Sequence, residues 1–427
     1  MSKINENKPG YKNTKVGWIP DEWEVKILNN IGTHDKPVIK AGPFGSALKK
    51  EFYVSKGYKV YGQEQVIQND AFVGDYYIDE KKFNSLKSCM VTPGDILLSL
   101  VGTIGKTLIV PESAEEGIIN PRLLRLSIDR NKYSSNFLAE YLKFEKTSQL
   151  LERWSQGGTM GVLNASILRA ISIPLPPLPE QQKIAEILST WDRAIEKNEA
   201  LIDQLKLRKK GLMQQLLTGK KRLRGFSDEW KEVKLGDIFS EIRTKNDGNL
   251  HEPLTISARL GFVSQKDKFD RVIAGSSIDK YILLEKGDFA YNKGNSKLYE
   301  MGCIYLLEEF QSAIVPFVYI SFRKKIENVD NNFYKYWFQN HGLDRQLKAI
   351  ITSGARGDGL LNVNKKDFFS LVVPCPMLEE QKAIAKVLTA ADNEIKEQEK
   401  YLNQLKDQKK GLMQQLLTGQ KRVNVNN

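Results

Sequence analysis

The eleven residues KKGLMQQLLTG occur twice, at 209–219 and at 409–419, unchanged and 200 positions apart. An internal repeat of this kind settles architecture before local propensity is weighed. Sliding the chain against itself extends the match toward the N-terminus. EQQKIAEILSTWDRAIEKNEALIDQLKLRKKGLMQQLLTGKKR starts at Glu180, and EEQKAIAKVLTAADNEIKEQEKYLNQLKDQKKGLMQQLLTGQKR starts at Glu379. Upstream of each copy lie further matched pieces, LNASILRAISIPLPPLPEQ (163–181) and LNVNKKDFFSLVVPCPMLEEQ (361–381). VGWIPDEWEVKILNNIG (16–32) likewise resembles RGFSDEWKEVKLGDIF (224–239), with DEW and EVK in both. Between these anchors the halves diverge, so the order is variable domain, fixed helix, variable domain, fixed helix.

The fixed segments carry a heptad-like seam. In the first copy Ile184, Leu188, Trp191, Ile195, Ile202, Leu205, Leu212 and Leu216 recur mostly at spacings of three and four. In the second copy Ile384, Leu388, Ala391, Ile395, Leu402, Leu405, Leu412 and Leu416 repeat it. Polar Asn198 and Lys209 fill the gaps of the first seam, and Gln398 and Lys409 those of the second. Pro174, Pro176, Pro177 and Pro179 forbid a helix before about residue 179, as Pro374 and Pro376 do in the other half. Gly219 and Gly419 stand where a left-handed residue ends a helix. About 39 residues at ~1.5 Å each give a rod of roughly 58 Å. Neither rod buries an apolar stripe alone, so antiparallel pairing about a pseudo-two-fold axis is expected. Leu212, Met213, Leu216 and Leu217 form a wider apolar face than a two-helix seam needs, and two readings stay open: the face completes the intramolecular pair, or part of it docks a partner protein.

The variable segments, about 17–170 and 225–370, read as mixed α/β. VTPGDILLSLVGTIGKTLIV and LEKGDFAYNKGNSKLYEMGCIYLL each set a Gly-Asp turn before a β-rich run. NFLAEYLKFEKTSQLLERW and NNFYKYWFQNHGLDRQLKAII have the period of amphipathic helices. Charge is basic, with 64 Lys+Arg against 52 Asp+Glu, a formal +12 that points to a polyanionic partner. Three scattered cysteines fit a reducing cytoplasm. The polar start MSKINENKPGYKNTK has no signal-like apolar core, and ILLSLVGTIG (96–105) is too short to span a bilayer.

Catalytic signatures are missing. VGTIGKT lacks the Gly of a phosphate-binding loop, since Leu100 stands at that place. There is no dinucleotide fingerprint, no Asn-Pro-Pro-Tyr or Asp-Pro-Pro-Tyr string, and no zinc-type His/Cys spacing.

PLPPLPEQQKIAEIL, the helix ending in KKGLMQQLLTG and the fixed–variable alternation resemble the specificity (S) subunit of Type I restriction–modification systems. GPFGSALKKEFYVSKGYKVYG, PGDILLSLVGTIGKT and KGDFAYNKGNSKLYEMG resemble its target-recognition signatures. The resemblance covers all but the first dozen residues and the tail after Arg422. It implies an α+β protein: two α/β target recognition domains separated by two long antiparallel coiled-coil helices. Boundaries follow as a polar tail at 1–16, domain 1 at 17–178, helix 1 at 179–222, domain 2 at 223–378, helix 2 at 379–422 and a tail at 423–427. It further implies that each domain reads one half of a bipartite target on double-stranded DNA, asymmetric because the domains differ. The helices then space the half-sites and hold two methyltransferase (M) subunits, and two restriction/translocase (R) subunits complete the complex. S-adenosylmethionine, ATP and Mg²⁺ belong to those partners, so this chain is expected to be non-catalytic, without membrane contact, and cytoplasmic.

Base and phosphate contacts call for Arg, Lys, Gln and Asn on loops. The candidates are Lys49, Lys50, Gln63, Gln65 and Lys106 in domain 1, and Arg259, Gln265, Lys293, Asn295, Lys297 and Arg356 in domain 2. Two rival readings remain open at this point: a self-sufficient modification enzyme, and a coiled-coil scaffold that binds no DNA.

Overall fold

The computed structural model describes residues 5–100, 105–156, 165–269, 275–294, 296–351 and 360–425. Contacts divide the chain into two units, Met1–Glu199 with Tyr401–Asn427, and Ala200–Lys400. The division cuts each long helix near its middle. Every unit therefore owns the start of one long helix and the end of the other.

The long helices run Leu178–Leu216 and Leu378–Leu416. Gly219 and Gly419 follow at φ +69° and +67°, the left-handed turn expected to end them. Ion pairs fix an antiparallel course within each unit. In the first, Lys409 meets Asp192 at 2.6 Å and Lys406 meets Glu199 at 2.7 Å. In the second, Lys209 meets Asp392 at 2.5 Å and Lys206 meets Glu399 at 2.7 Å. Stepping back along one helix moves forward along the other.

The first unit is a stack of layers. Strands 107–109, 96–99, 123–126 and 39–41 form an antiparallel sheet in that order. A five-stranded sheet orders 53–54, 77–78, 58–61, 117–119 and 90–91, with 58–61 parallel to 117–119. Ile96 and Leu98 face a core with Phe137, Leu142, Ile184 and Leu188, whereas Leu97 faces the other core with Val60 and Ile118. The two-residue period of a strand therefore explains the unbroken apolar run Ile96–Leu98: both faces are covered. Asp95 caps the preceding turn by accepting from Thr92 N at 2.8 Å, with Gly94 at φ +83°.

The second unit repeats this plan with different residues. Its antiparallel sheet orders 239–241, 320–324, 289–292 and 303–306. A second sheet orders 261–264, 252–257, 312–315 and 282–285, again with one parallel pair. Asp288 accepts from Glu285 N at 2.7 Å, as Asp95 does in its own turn. Two sequences that diverge almost completely thus share most of one topology, to which the first unit adds strand 53–54 at a sheet edge.

Helix and domain meet at a joint made from the repeated residues. In the first unit Glu180 takes a bidentate contact from Arg422 (2.6 and 2.8 Å) and the Trp23 indole N–H at 3.1 Å. In the second, Glu380 takes Arg222 (2.6 and 2.7 Å) and Trp230 at 2.9 Å. The next residue pins a domain helix. Gln181 Oε1 accepts from Ser134 N and Gln381 Oε1 from Asp330 N, each at 2.9 Å. Ser134 and Asp330 are the N-caps of helices Ser135–Lys143 and Asn331–Gln339. The Trp of DEW, the EQ pair and the closing Arg therefore recur because they are parts of one clamp.

One expectation is corrected and one open choice is decided. The polar tail proposed for 1–16 contains a strand, Tyr11–Thr14, hairpinned to Gly17–Pro20. It is held by partners some 400 residues away: Tyr11 Oη donates to Gly419 O at 2.6 Å and Asn5 Nδ2 to Thr418 O at 3.3 Å. The broad apolar face of KKGLMQQLLTG is also not left open. Met213, Leu216 and Leu217 lie in the core of the second unit, and Met413, Leu416 and Leu417 in that of the first. Full burial of such side chains is worth roughly 1.5–3 kcal/mol each, which the chain's own domains already use. Ile184, Leu188, Ile384 and Leu388 join the same cores. Ile395, Leu205 and Leu405 are buried, while Ile195, Leu212 and Leu412 are half-buried.

Candidate nucleic-acid interface

In each unit the loops that leave the sheets at one end are knotted together by hydrogen bonds. Asn120 makes the knot in the first: its N–H donates to Tyr61 O at 2.8 Å and its Oδ1 accepts from Arg122 N at 2.9 Å. Leu100 N donates to Arg122 O at 3.0 Å, and Gly42 N to Leu123 O at 3.1 Å. A Cβ on Gly42 would lie 1.9 Å from Asn120 O, so only glycine admits this approach. The loops after strands 39–41, 58–61 and 96–99 are thus gathered at one edge.

In the second unit Tyr319 does the corresponding work. Its hydroxyl lies 3.1 Å from Thr255 Oγ1 and accepts from Ile256 N at 3.3 Å. Burial pushes its pKa up, so the hydroxyl keeps its proton. Asn292 Nδ2 reaches Ile256 O at 3.4 Å, Tyr305 Oη reaches Ala258 O at 2.8 Å, and Leu361 N donates to Lys293 O at 2.9 Å.

The candidates separate into groups. Lys50, Lys106, Arg259 and Lys297 are exposed on these edge loops and make no ion pair among the described residues. Lys49 is exposed and stands 3.7 Å from Glu51. Gln63 and Lys293 are half-buried with bonds of their own. Asn295 and Arg356 lie outside the described residues.

Gln65 and Gln265 depart from the expectation. They are 1% and 2% exposed, which closes their amides to an outside ligand. Gln65 Oε1 accepts from Gly62 N at 2.7 Å and its Nε2 donates to Val73 O at 2.8 Å. Gln265 Nε2 donates to Leu254 O at 3.3 Å and to Tyr281 Oη at 3.1 Å. They brace the short helices Gln63–Gln68 and Gln265–Phe269. A buried amide must be satisfied internally, and sequence cannot tell that role from groove reading.

Exposed apolar side chains on the same loops were missed. Phe44 is 72% exposed and Phe72 54%, and Leu260 and Leu298 are 73% and 54% exposed. The signal for Phe44 was its place in GPFGS, since a phenylalanine set in a glycine loop has no periodic partner to bury it. The edges therefore offer ammonium and guanidinium donors beside apolar contacts, the equipment for gripping phosphates and touching base edges. No group of three or more His, Cys, Asp or Glu among the described residues is placed to hold a metal ion. No helix among them is long and apolar enough to cross a membrane.

Comparison with known proteins agrees with this architecture. The family model of the Type I restriction modification DNA specificity domain matches residues 20–207 and again 227–407, so the chain belongs to that family. Among its relatives, the Type I restriction enzyme MjaVIII specificity subunit of Methanocaldococcus jannaschii is 26% identical, over 95% of this chain and 94% of its own length. The Type I restriction enzyme EcoKI specificity subunit of Escherichia coli K12 is 23% identical, over 87% and 82%. The crystal structure of the S subunit from M. genitalium superposes with a TM-score of 0.52 at 16% identity, covering 92% of this chain and 96% of that one, a likeness of fold.

Proposed function

We propose that this chain is the DNA-specificity subunit of a Type I restriction–modification complex. Each loop edge reads one half of a bipartite target. The observation that carries this reading is the contrast between a Trp–Glu–Arg clamp repeated in both units and loop edges that share a scaffold but are tied by different side chains. One edge carries Lys50 and Lys106 and the other carries Arg259 and Lys297, so the half-sites differ and the target is asymmetric. Most phosphate contacts come from such cations, and a net +12 favours them.

The paired helices set the distance between half-sites. Two methyltransferase subunits dock alongside, on the exposed polar face of each repeat (Gln215 in one copy, Gln415 in the other), because its apolar face is taken. Two restriction subunits complete the restricting form in the cytoplasm. S-adenosylmethionine, ATP and Mg²⁺ serve those partners and not this chain.

Footprinting of the complex with its methyltransferase on genomic DNA tests the reading. The expected result is a protected two-part site with a fixed gap. Protection of no such site would favour a scaffold, and methyl transfer by the isolated chain would favour a self-sufficient enzyme.

A further inference from the structure

The first lysine of each repeat sits where three elements meet. Lys409, on the second long helix, is 9% exposed at its side chain. Its ammonium lies 2.8 Å from Glu140 on domain helix Ser135–Lys143 and 2.6 Å from both oxygens of Asp192 on the first long helix. Lys209 occupies the matching place in the second unit, 2.5 Å from Asp392 and 5.3 Å above the Tyr336 ring. Tyr336 donates to Asp392 at 2.8 Å. Glu140 and Tyr336 are each the sixth residue of their domain helix. The constant helices thus supply Lys and Asp, and the variable domain supplies the third group, a carboxylate in one unit and a phenol in the other.

A buried ammonium cannot slide by one helical turn without leaving carboxylates unpaired, which is costly in a poorly solvated site. The clamp at Glu180 and Glu380, with Gln181 and Gln381, pins each domain helix at its N-cap. The lysine adds a polar contact at that helix's sixth residue, and two points along one helix fix its direction. We propose that Lys409 and Lys209 are positioning residues that set the orientation of each recognition domain on the helix pair. They thereby restrict the complex to one gap length between half-sites. The proposal rests on the bipartite-DNA reading above. It makes the first unit the more tightly held, since Lys409 answers two carboxylates and Lys209 one.

The test uses the complex of the full chain with its partner methyltransferase on a DNA series in which only the gap varies. The wild-type complex is expected to modify a single gap length. Lys409→Met should lower modification at that gap roughly tenfold to a hundredfold, as small misplacements do, and raise it at a neighbouring gap. Lys209→Met should do the same more weakly. It also serves if Lys409→Met fails to fold, because Lys209 is less enclosed. Glu140→Tyr, which imports the arrangement of the second unit, should keep the native gap.

A merely structural role would lower yield or melting temperature and leave gap preference untouched. That result for a folded variant would overturn the proposal. Modification of no bipartite DNA by the wild-type complex would instead overturn the reading on which it rests.

Discussion

The joints and the loop edges of the two units obey opposite rules. At the joints Trp23, Glu180 and Arg422 are matched by Trp230, Glu380 and Arg222, with distances that agree within 0.2 Å. At the edges Asn120 ties one set of loops and Tyr319 the other, through unrelated bonds. Equal joints suit equal neighbours, and unequal edges suit unequal ligands. Drift at the edges costs little stability, because exposed side chains contribute little to folding, whereas a buried charge cluster tolerates no lost partner.

The clamp should give the largest response when this contrast is probed. Glu180→Ala strands the Arg422 guanidinium and the Trp23 indole, and Glu380→Ala strands Arg222 and Trp230. Each should cost on the order of 3 kcal/mol, the low end for a broken buried pair, because both arginines keep some solvent. Chemical denaturation would measure it, and a clear inequality between the two variants would break the claim that the joints are equivalent.

A smaller, pH-dependent effect should tell the units apart. Burial opposes the Glu140 charge, but Lys143 and Lys409 outweigh it and hold its pKa below the ordinary 4.5. Its stabilisation is therefore fully present above that value and lost as pH falls through the depressed one. Lys409, although burial works against it, is held above 10.5 by Glu140 and Asp192 and stays charged throughout this window. The stability gap between wild type and Glu140→Gln should shrink on acidification from pH 7 toward 3. No such loss is expected for Tyr336→Phe in the second unit, whose phenol is pushed up by burial first and stays protonated.

The smallest effects belong to the edges. Lys106→Ala and Arg259→Ala should leave folding within about 0.5 kcal/mol of wild type. For a phosphate contact, each should lower the salt dependence of DNA binding by about one unit of slope. A change confined to one base position would instead mark that residue as a reader of sequence.

Much of the molecule was written in its sequence. The repeat gave the modular order, proline and glycine gave both helix ends, and the spacing of Ile184, Leu188, Ile384 and Leu388 gave the buried stripe. These are legible because they depend on neighbours within a few residues, or on the chain's likeness to itself. The Gly-Asp turns at 94–95 and 287–288 were legible for the same reason. Edge loops could be located but not sorted, since a glutamine bracing a turn and one facing a groove have the same local sequence. Gln65 and Gln265 fell on the wrong side of that division.

Sequence alone determined that there are two copies of one plan, where their helices begin and end, and which family they belong to. Tertiary structure decided what the repeated residues are for. It placed Trp23 and Arg422 on one carboxylate, turned the apolar face of KKGLMQQLLTG into the domains' own cores, and set Lys409 between Asp192 and Glu140. It also made a hairpin of residues read as a tail. The physical reason is common to all four: their partners lie far away along the chain. Local periodicity carries no record of such contacts, and only the folded chain brings them within bonding distance.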